Sequence, residues 1–164
     1  MVRLRSPQVP KNISKLLLSI GVCLGTGIVG SIFTFSAIPN WYVTLNKPFF
    51  SPPNWVFGPV WTILYILMGI SLYLVWISKS KIKQNAINLF FVQLGLNVLW
   101  SILFFGLRNP ALALIDIVAL WVAIFLTIKS FSKINKLAGN LQIPYLAWVT
   151  FASILNLSIV LLNL

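Results

Sequence analysis

Read for hydrophobic and polar positions alone, the chain divides into five long apolar stretches separated by short polar segments. The stretches cover about residues 16–38, 54–78, 86–106, 110–128 and 141–162. Crossing the hydrocarbon core of a bilayer takes roughly 20 apolar residues in a helix. Each stretch therefore predicts one spanning helix. The punctuation between them is informative. Pro39 is expected to end the first helix, and Gly58-Pro59 either starts the regular part of the second or kinks it one turn in. Asn109 and Pro110 read as N-cap and first residue of the fourth helix. Residues 39–53 form the only long connection, rich in both aromatics and proline, and have the length of a lid or binding loop.

Composition agrees with this pattern. Of 164 residues, 59% are hydrophobic and 8% are charged, too few to cover a water-facing shell; soluble domains carry about 25% charged residues. The predicted fold class is therefore an all-α membrane protein, a five-helix transmembrane bundle in one domain (16–164), preceded by a disordered basic tail (1–15). The tail reads as retained, because the apolar run that follows is too long for a signal sequence.

The net charge of +11 would suggest nucleic acid in a soluble protein, but the basic residues lie between the apolar runs. Their distribution is topological. Arg3, Arg5, Lys11, Lys15, Lys79, Lys81, Lys83, Lys129, Lys133 and Lys136 fall on one side, and only Lys47 and Arg108 on the other. The positive-inside rule then puts the N-terminus in the cytoplasm, and the C-terminus and the long loop outside. A bacterial inner membrane is the expected location. No internal repeat is visible, and five helices cannot form the two equal inverted halves of many secondary transporters.

Candidate chemistry is narrow. With no histidine and one cysteine, the chain cannot form an internal disulfide, a histidine-based catalytic site or a zinc cluster, and no metal site is expected. Cys23 reads as a small buried hydrophobe. Seven tryptophans stand out. Trp41, Trp55 and Trp76 sit at predicted interfaces, where a tryptophan belt is ordinary. Trp61, Trp100, Trp121 and Trp148 lie inside spans and are candidates for lining an interior pocket.

Spacing supports that pocket. Asn97, Trp100 and Phe104 share a helix face, as do Trp61 with Tyr65, and Trp148, Ala152 and Asn156. An unpaired amide in hydrocarbon is costly, so these faces point inward, with Asn97 and Asn156 either bonding helix to helix or touching a ligand. Gly21 with Gly25, and Gly27 with Ser31, clear one face of the first helix for either a homodimer seam or packing within the bundle. Asp116, the only acidic side chain, is a functional candidate by its position in a span: a pocket residue, a partner for a base, or a protonated acid.

The run WYVTLNKPFFSPPNWVFGPVWTILYILMG (41–69) resembles the signature of the TspO/MBR family of tryptophan-rich sensory and translocator proteins. The runs QLGLNVLWSILFFGLRNPALAL (93–114) and IPYLAWVTFASILN (143–156) resemble its later helices. The resemblance implies a five-helix bundle, commonly homodimeric, with a pocket beneath the first extramembrane loop. It implies a porphyrin or other tetrapyrrole such as protoporphyrin IX as ligand, with sterol or another hydrophobic small molecule as alternative, and no required cofactor. Carried over, Trp41, Tyr42 and Pro53 belong to the lid, and Trp61, Asn97, Trp100 and Trp148 to the pocket, with Phe104 and Ala152 on the same faces. The family's animal members carry a cholesterol motif of Tyr and Arg at the end of the fifth helix. Here that stretch is LNLSIVLLNL (155–164), with neither residue, so that mode of sterol binding is not expected.

A flat aromatic macrocycle suits indole faces. Its propionates have two candidate partners on the outer side, Lys47 and Arg108. Without histidine the usual axial ligation of haem is unavailable, which favours metal-free porphyrin. Together with what the resemblance implies of its members' roles in stress regulation and light-dependent porphyrin breakdown, this leaves three readings. The first is a binding protein that senses, sequesters or transports a tetrapyrrole in stress or pigment regulation. The second is a light-dependent porphyrin-degrading enzyme, with Trp61 and Trp148 as redox partners. The third is a ligand-free accessory subunit.

Overall fold

The computed structural model describes residues 12–164; the expected tail residues Arg3, Arg5 and Lys11 lie outside them. Helix α1 spans Ile13–Asn40, α2 Asn54–Trp76, α3 Lys83–Ser101 and α4 Pro110–Ser132, followed by a short α5 (Lys136–Asn140) and by α6 (Ile143–Leu162). With α5 leading into α6, five helical segments are long and apolar enough to span a membrane. Helix is the form required here, because lipid offers backbone N–H and C=O groups no partner.

Several boundaries differ from the pattern-based ones. Helix α1 begins inside the expected tail and carries Lys15, whose ammonium lies 5.6 Å from the centre of the Trp76 ring. At the far end Pro39 does not stop the helix. It sits within the last turn, which closes through the Trp41 amide on the Ala37 carbonyl at 2.9 Å. A proline this late sacrifices a single backbone bond. Pro59 lies inside α2, one turn after its start at Asn54, within the expected span. The third span ends in a wide π turn over Ile102–Gly106, closed by Leu107 N–H on Ile102 C=O at 2.7 Å. Asn109 caps α4 by accepting from the Leu112 amide at 3.0 Å, with Pro110 as first residue, after Arg108 turns the chain at φ 53°.

Packing sets the geometry of the site. At one end α1 and α2 nearly touch backbones: a Cβ placed on Gly69 would lie 2.5 Å from Ile20 Cα. Gly27 accommodates the Tyr65 ring in the same crossing. Gly21 and Gly25, by contrast, have nothing among the described residues within 4 Å of where a Cβ would be. Packing within the bundle therefore accounts for Gly27 and not for the Gly21/Gly25 pair. Phe90 of α3 stacks on Phe131 of α4 at 5.6 Å, in a core that includes Met68, Val75 and Tyr145. Large apolar side chains such as Phe35, Ile115 and Ile28 point outward, as a bundle solvated by lipid requires.

Alternation of the helices gathers the α2–α3 and α4–α5 lysines and Lys15 at one end, and the 41–53 connection at the other. We call these the basic end and the roof end. Gly69→Val is expected to lower bundle stability by about 1–3 kcal/mol by overpacking against the α1 backbone. Gly21→Ala and Gly25→Ala should cost nothing. Thermal unfolding midpoints in detergent micelles check this, and a Gly69→Val midpoint equal to the parent would contradict so close a crossing.

Candidate functional site

On the roof side of the Gly69–Ile20 crossing, side chains space α1 from α2, the Tyr65 ring lying against Gly27. Between them, α3 and α6 enclose a cavity of about 630 Å³. Pockets for small molecules commonly measure 300–1,000 Å³. Three aromatic stripes line it. Phe57, Trp61 and Tyr65 recur at steps of four along α2, with Trp61 stacked on Tyr65 at 5.5 Å and 27°. Trp100 at the end of α3 stacks on Phe104 of the π turn at 5.1 Å and 24°. Trp148 of α6 meets Phe57 edge to face at 6.0 Å. Helix α1 contributes the small and aliphatic wall, including Leu24, Ser31, Thr34 and Ile38. On the α1/α2 side several lining residues, among them Ile28, Phe35, Trp55 and Thr62, are also exposed, so the cavity reaches the outer surface of the bundle there.

The amides that belong to this wall are held by the protein. Asn97 is a hub: its Oδ1 accepts from the Tyr65 hydroxyl at 2.6 Å, and its Nδ2 donates to the Tyr145 hydroxyl at 3.0 Å, joining α2, α3 and α6. Asn156 accepts from the Trp100 indole N–H at 3.1 Å and donates to the Pro110 carbonyl at 2.8 Å, joining α3, α4 and α6. Both amides also line the cavity, so helix joining and cavity lining coincide in the same residues.

The 41–53 connection closes the roof end as a fixed strap. Tyr42 is buried against Phe104 and Phe105, and Phe50 packs on Phe151. The Asn46 amide donates to Asn163 Oδ1 at 3.0 Å, and Asn163 Nδ2 returns a bond to the Asn46 carbonyl at 2.9 Å. Burial raises the Tyr42 phenol above its usual range, with the Ser51 side chain working in the opposite direction, so it stays neutral near pH 7.

The residues singled out from sequence fall into two groups. Tyr42, Trp61, Asn97, Trp100, Phe104, Trp148 and Ala152 line the cavity together. Trp41, Pro53, Lys47 and Arg108 do not. Trp41 supports Phe104 from outside at 5.6 Å, and Pro53 caps α2. Lys47 directs its ammonium onto the Tyr42 and Leu45 carbonyls at 2.8 and 3.1 Å, and Arg108 is exposed at the α3–α4 turn. Trp121, expected as a pocket candidate, instead bridges α4 to α6 by donating to Thr150 Oγ1 at 2.8 Å. Asp116 is buried on α4, outside the cavity, with Oδ2 lacking a partner among the described residues. Helix α4 packs behind α3 and α6, which keeps both residues from the cavity. The α1 wall was missed, although Leu24, Ser31 and Ile38 follow one another at steps of seven and could have marked it.

Residues 19–162 match the TspO/MBR family. The chain belongs to this family. It is 51% identical over 156 residues to the tryptophan-rich protein TspO of Archaeoglobus fulgidus, covering 93% of this chain and 99% of that protein. It is 47% identical over 157 residues to the tryptophan-rich protein TspO of Chlorobaculum tepidum, covering 93% and 98%. Against the human translocator protein it is 40% identical over 131 residues, 78% of each chain. With five spanning helices, this TspO/MBR chain is an integral, multi-pass membrane protein.

Removing the Asn156 amide strands two partners, the Trp100 indole and the Pro110 carbonyl. Asn156→Leu is expected to cost about 1–3 kcal/mol, the penalty for buried groups left unpaired. Asn163→Ala, at the solvent-facing strap, should cost less. Parallel thermal melts in detergent decide the order, and equal midpoints would show that Asn156 is not a structural joint.

Proposed function

We propose that this TspO/MBR protein binds a tetrapyrrole of the protoporphyrin class in the cavity beneath the strap, as a sensor, sequestering protein or carrier. The observation that carries the reading is the cavity wall itself: the rings of Trp61, Trp100 and Trp148 on three different helices face one space. A planar macrocycle between such rings gains about 0.5–1.5 kcal/mol per aromatic pair beyond burial. Its carboxylate edge would lie toward the α1/α2 opening, where Ser31, Asn54 and Thr62 are the polar groups; Lys47 and Arg108 add positive charge at the same end. The family relationship supports a shared pocket and leaves the ligand to be identified. The basic end is proposed to face the cytoplasm of a bacterial inner membrane, following its concentration of lysines. The open face of α1 at Gly21 and Gly25 is proposed as the seat of a second copy.

Titration of the detergent-solubilised protein with micromolar protoporphyrin IX is expected to quench tryptophan emission saturably. Trp100→Ala or Trp61→Ala should weaken binding about two- to tenfold. Trp121→Phe, outside the cavity, should leave it unchanged. Absence of saturable quenching would remove the tetrapyrrole reading. Illumination of the same samples separates binding from catalysis. Porphyrin bleaching that depends on protein and disappears in Trp61→Phe and Trp148→Phe would favour the enzyme reading; an unchanged spectrum supports binding alone.

The second copy has its own test. Gly21→Cys in a Cys23→Ser background is expected to yield a disulfide-linked dimer on mild oxidation in membranes. A chain that remains monomeric on denaturing gels would place the contact elsewhere.

A further inference from the structure

The basic end holds a second recess, separate from the tryptophan-lined cavity and independent of what that cavity binds. Its volume is about 340 Å³, between α1, α2 and α3. Leu18, Ile87 and Phe91 form an apolar wall, and Trp76 and Lys83 stand at its mouth. Ser19 lines it deeper in, 1% exposed, with a hydroxyl that has no partner among the described residues. This is unusual within α1. Thr26 and Thr34 of the same helix turn their hydroxyls back onto the Val22 and Gly30 carbonyls at 3.0 and 3.1 Å. An orphaned hydroxyl in a lipid-solvated bundle calls for an acceptor or donor supplied from outside the chain.

The mouth is cationic in a defined way. Lys83 donates to the Trp76 and Ser78 carbonyls at 3.3 and 2.9 Å, which fixes its ammonium over the end of α2 with one proton still to donate. Lys15 stands over the same tryptophan, 5.6 Å from its ring centre. The chain's single acidic side chain, Asp116, is in α4 and does not line this recess. Helix α3 also begins here at Lys83 with no side-chain cap, so its positive end faces the same mouth.

We infer that this recess is a binding site for one anionic phospholipid, its phosphodiester between Lys15 and Lys83 and one acyl chain along Leu18, Ile87 and Phe91. Charge complementarity selects the lipid class, and the apolar wall selects a lipid over a free phosphate. Ser19 lies one helical turn below Lys15, about 5–6 Å deeper, at the level where the ester carbonyls of a bound lipid sit below its phosphate. The hydroxyl then donates to an ester carbonyl, which resolves the orphan. Trp76 takes the interfacial place between ester and water.

The test uses the full chain in phosphatidylcholine nanodiscs containing a minor fraction of lipid brominated near the headgroup end of one acyl chain. The brominated lipid is either phosphatidylglycerol or phosphatidylcholine. The quenching assigned to Trp76 is the part lost in Trp76→Phe. Brominated phosphatidylglycerol is expected to quench this component at several-fold lower mole fraction than brominated phosphatidylcholine. Lys15→Gln and Lys83→Gln should each reduce that preference about fivefold. Ser19→Leu, which fills the recess, should reduce quenching by both lipids. Lys79→Gln with Lys81→Gln removes two charges from the same end outside the recess and should leave the preference intact. Equal quenching by the two lipids overturns the site. So does an equal loss in the Lys79/Lys81 control, which would reduce the effect to diffuse surface charge. Since Lys83 also holds the end of α2, Lys15→Gln alone keeps the test valid if Lys83→Gln does not fold.

Discussion

A buried amide surrounded by hydrocarbon must find its partners inside the protein, and Asn97 and Asn156 find theirs on neighbouring helices. Lipid tails are as apolar as leucine, so burial of leucine does little to draw helices together. Close packing and internal hydrogen bonds must do it instead. Asn97 joins α2, α3 and α6 through two tyrosine hydroxyls. Asn156 joins α3, α6 and the first residue of α4. The same bonds orient Tyr65 and Trp100, two of the rings that face the cavity. Stability and the shape of the cavity therefore rest on one polar framework.

The glycines complete this arrangement from the other side. At Gly69 the absence of a side chain lets α1 and α2 approach backbone to backbone, and on the roof side of that crossing side chains space the two helices. A cavity in a bundle needs both a tight point and a spread. Gly69 supplies the first, and the bulk of Trp61, Trp100 and Phe104 supports the second. Filling the space with aromatic edges also explains why a void of this size coexists with a well-packed core around Phe90, Met68 and Tyr145.

Much of this was legible in the sequence because a membrane simplifies the code. Five apolar runs of spanning length leave little choice of fold, and stripes at helical spacing showed that Asn97, Trp100 and Phe104 share a face. The helix ends were less legible. Pro39 was read as the end of the first helix, yet it lies within α1, because a proline near a terminus removes only one backbone bond. Trp121 illustrates a further limit. Like Trp100 it lies within a span, but only the order of packing puts α4 behind α3 and α6 and turns that indole to Thr150. The α1 wall carries no tryptophan or amide, and its one aromatic, Phe35, is exposed, so its residues did not stand out from lipid-facing ones. Lys47 shows the same limit in a loop: its charge was visible, but not the carbonyls that hold it.

The strap has a temporal meaning as well as a spatial one. Asn46 and Asn163, whose mutual bonds secure it, are separated by 117 positions. A chain entering the membrane from its N-terminus makes Asn46 long before Asn163 exists. Until the last residues of α6 are in place, the strap has no anchor there and the space beneath it stays uncovered. This fastening of the cavity's cover thus waits for α6 to be in place. A chain cut after Leu162 would insert all its helices and still lack the Asn163 fastening of its cover.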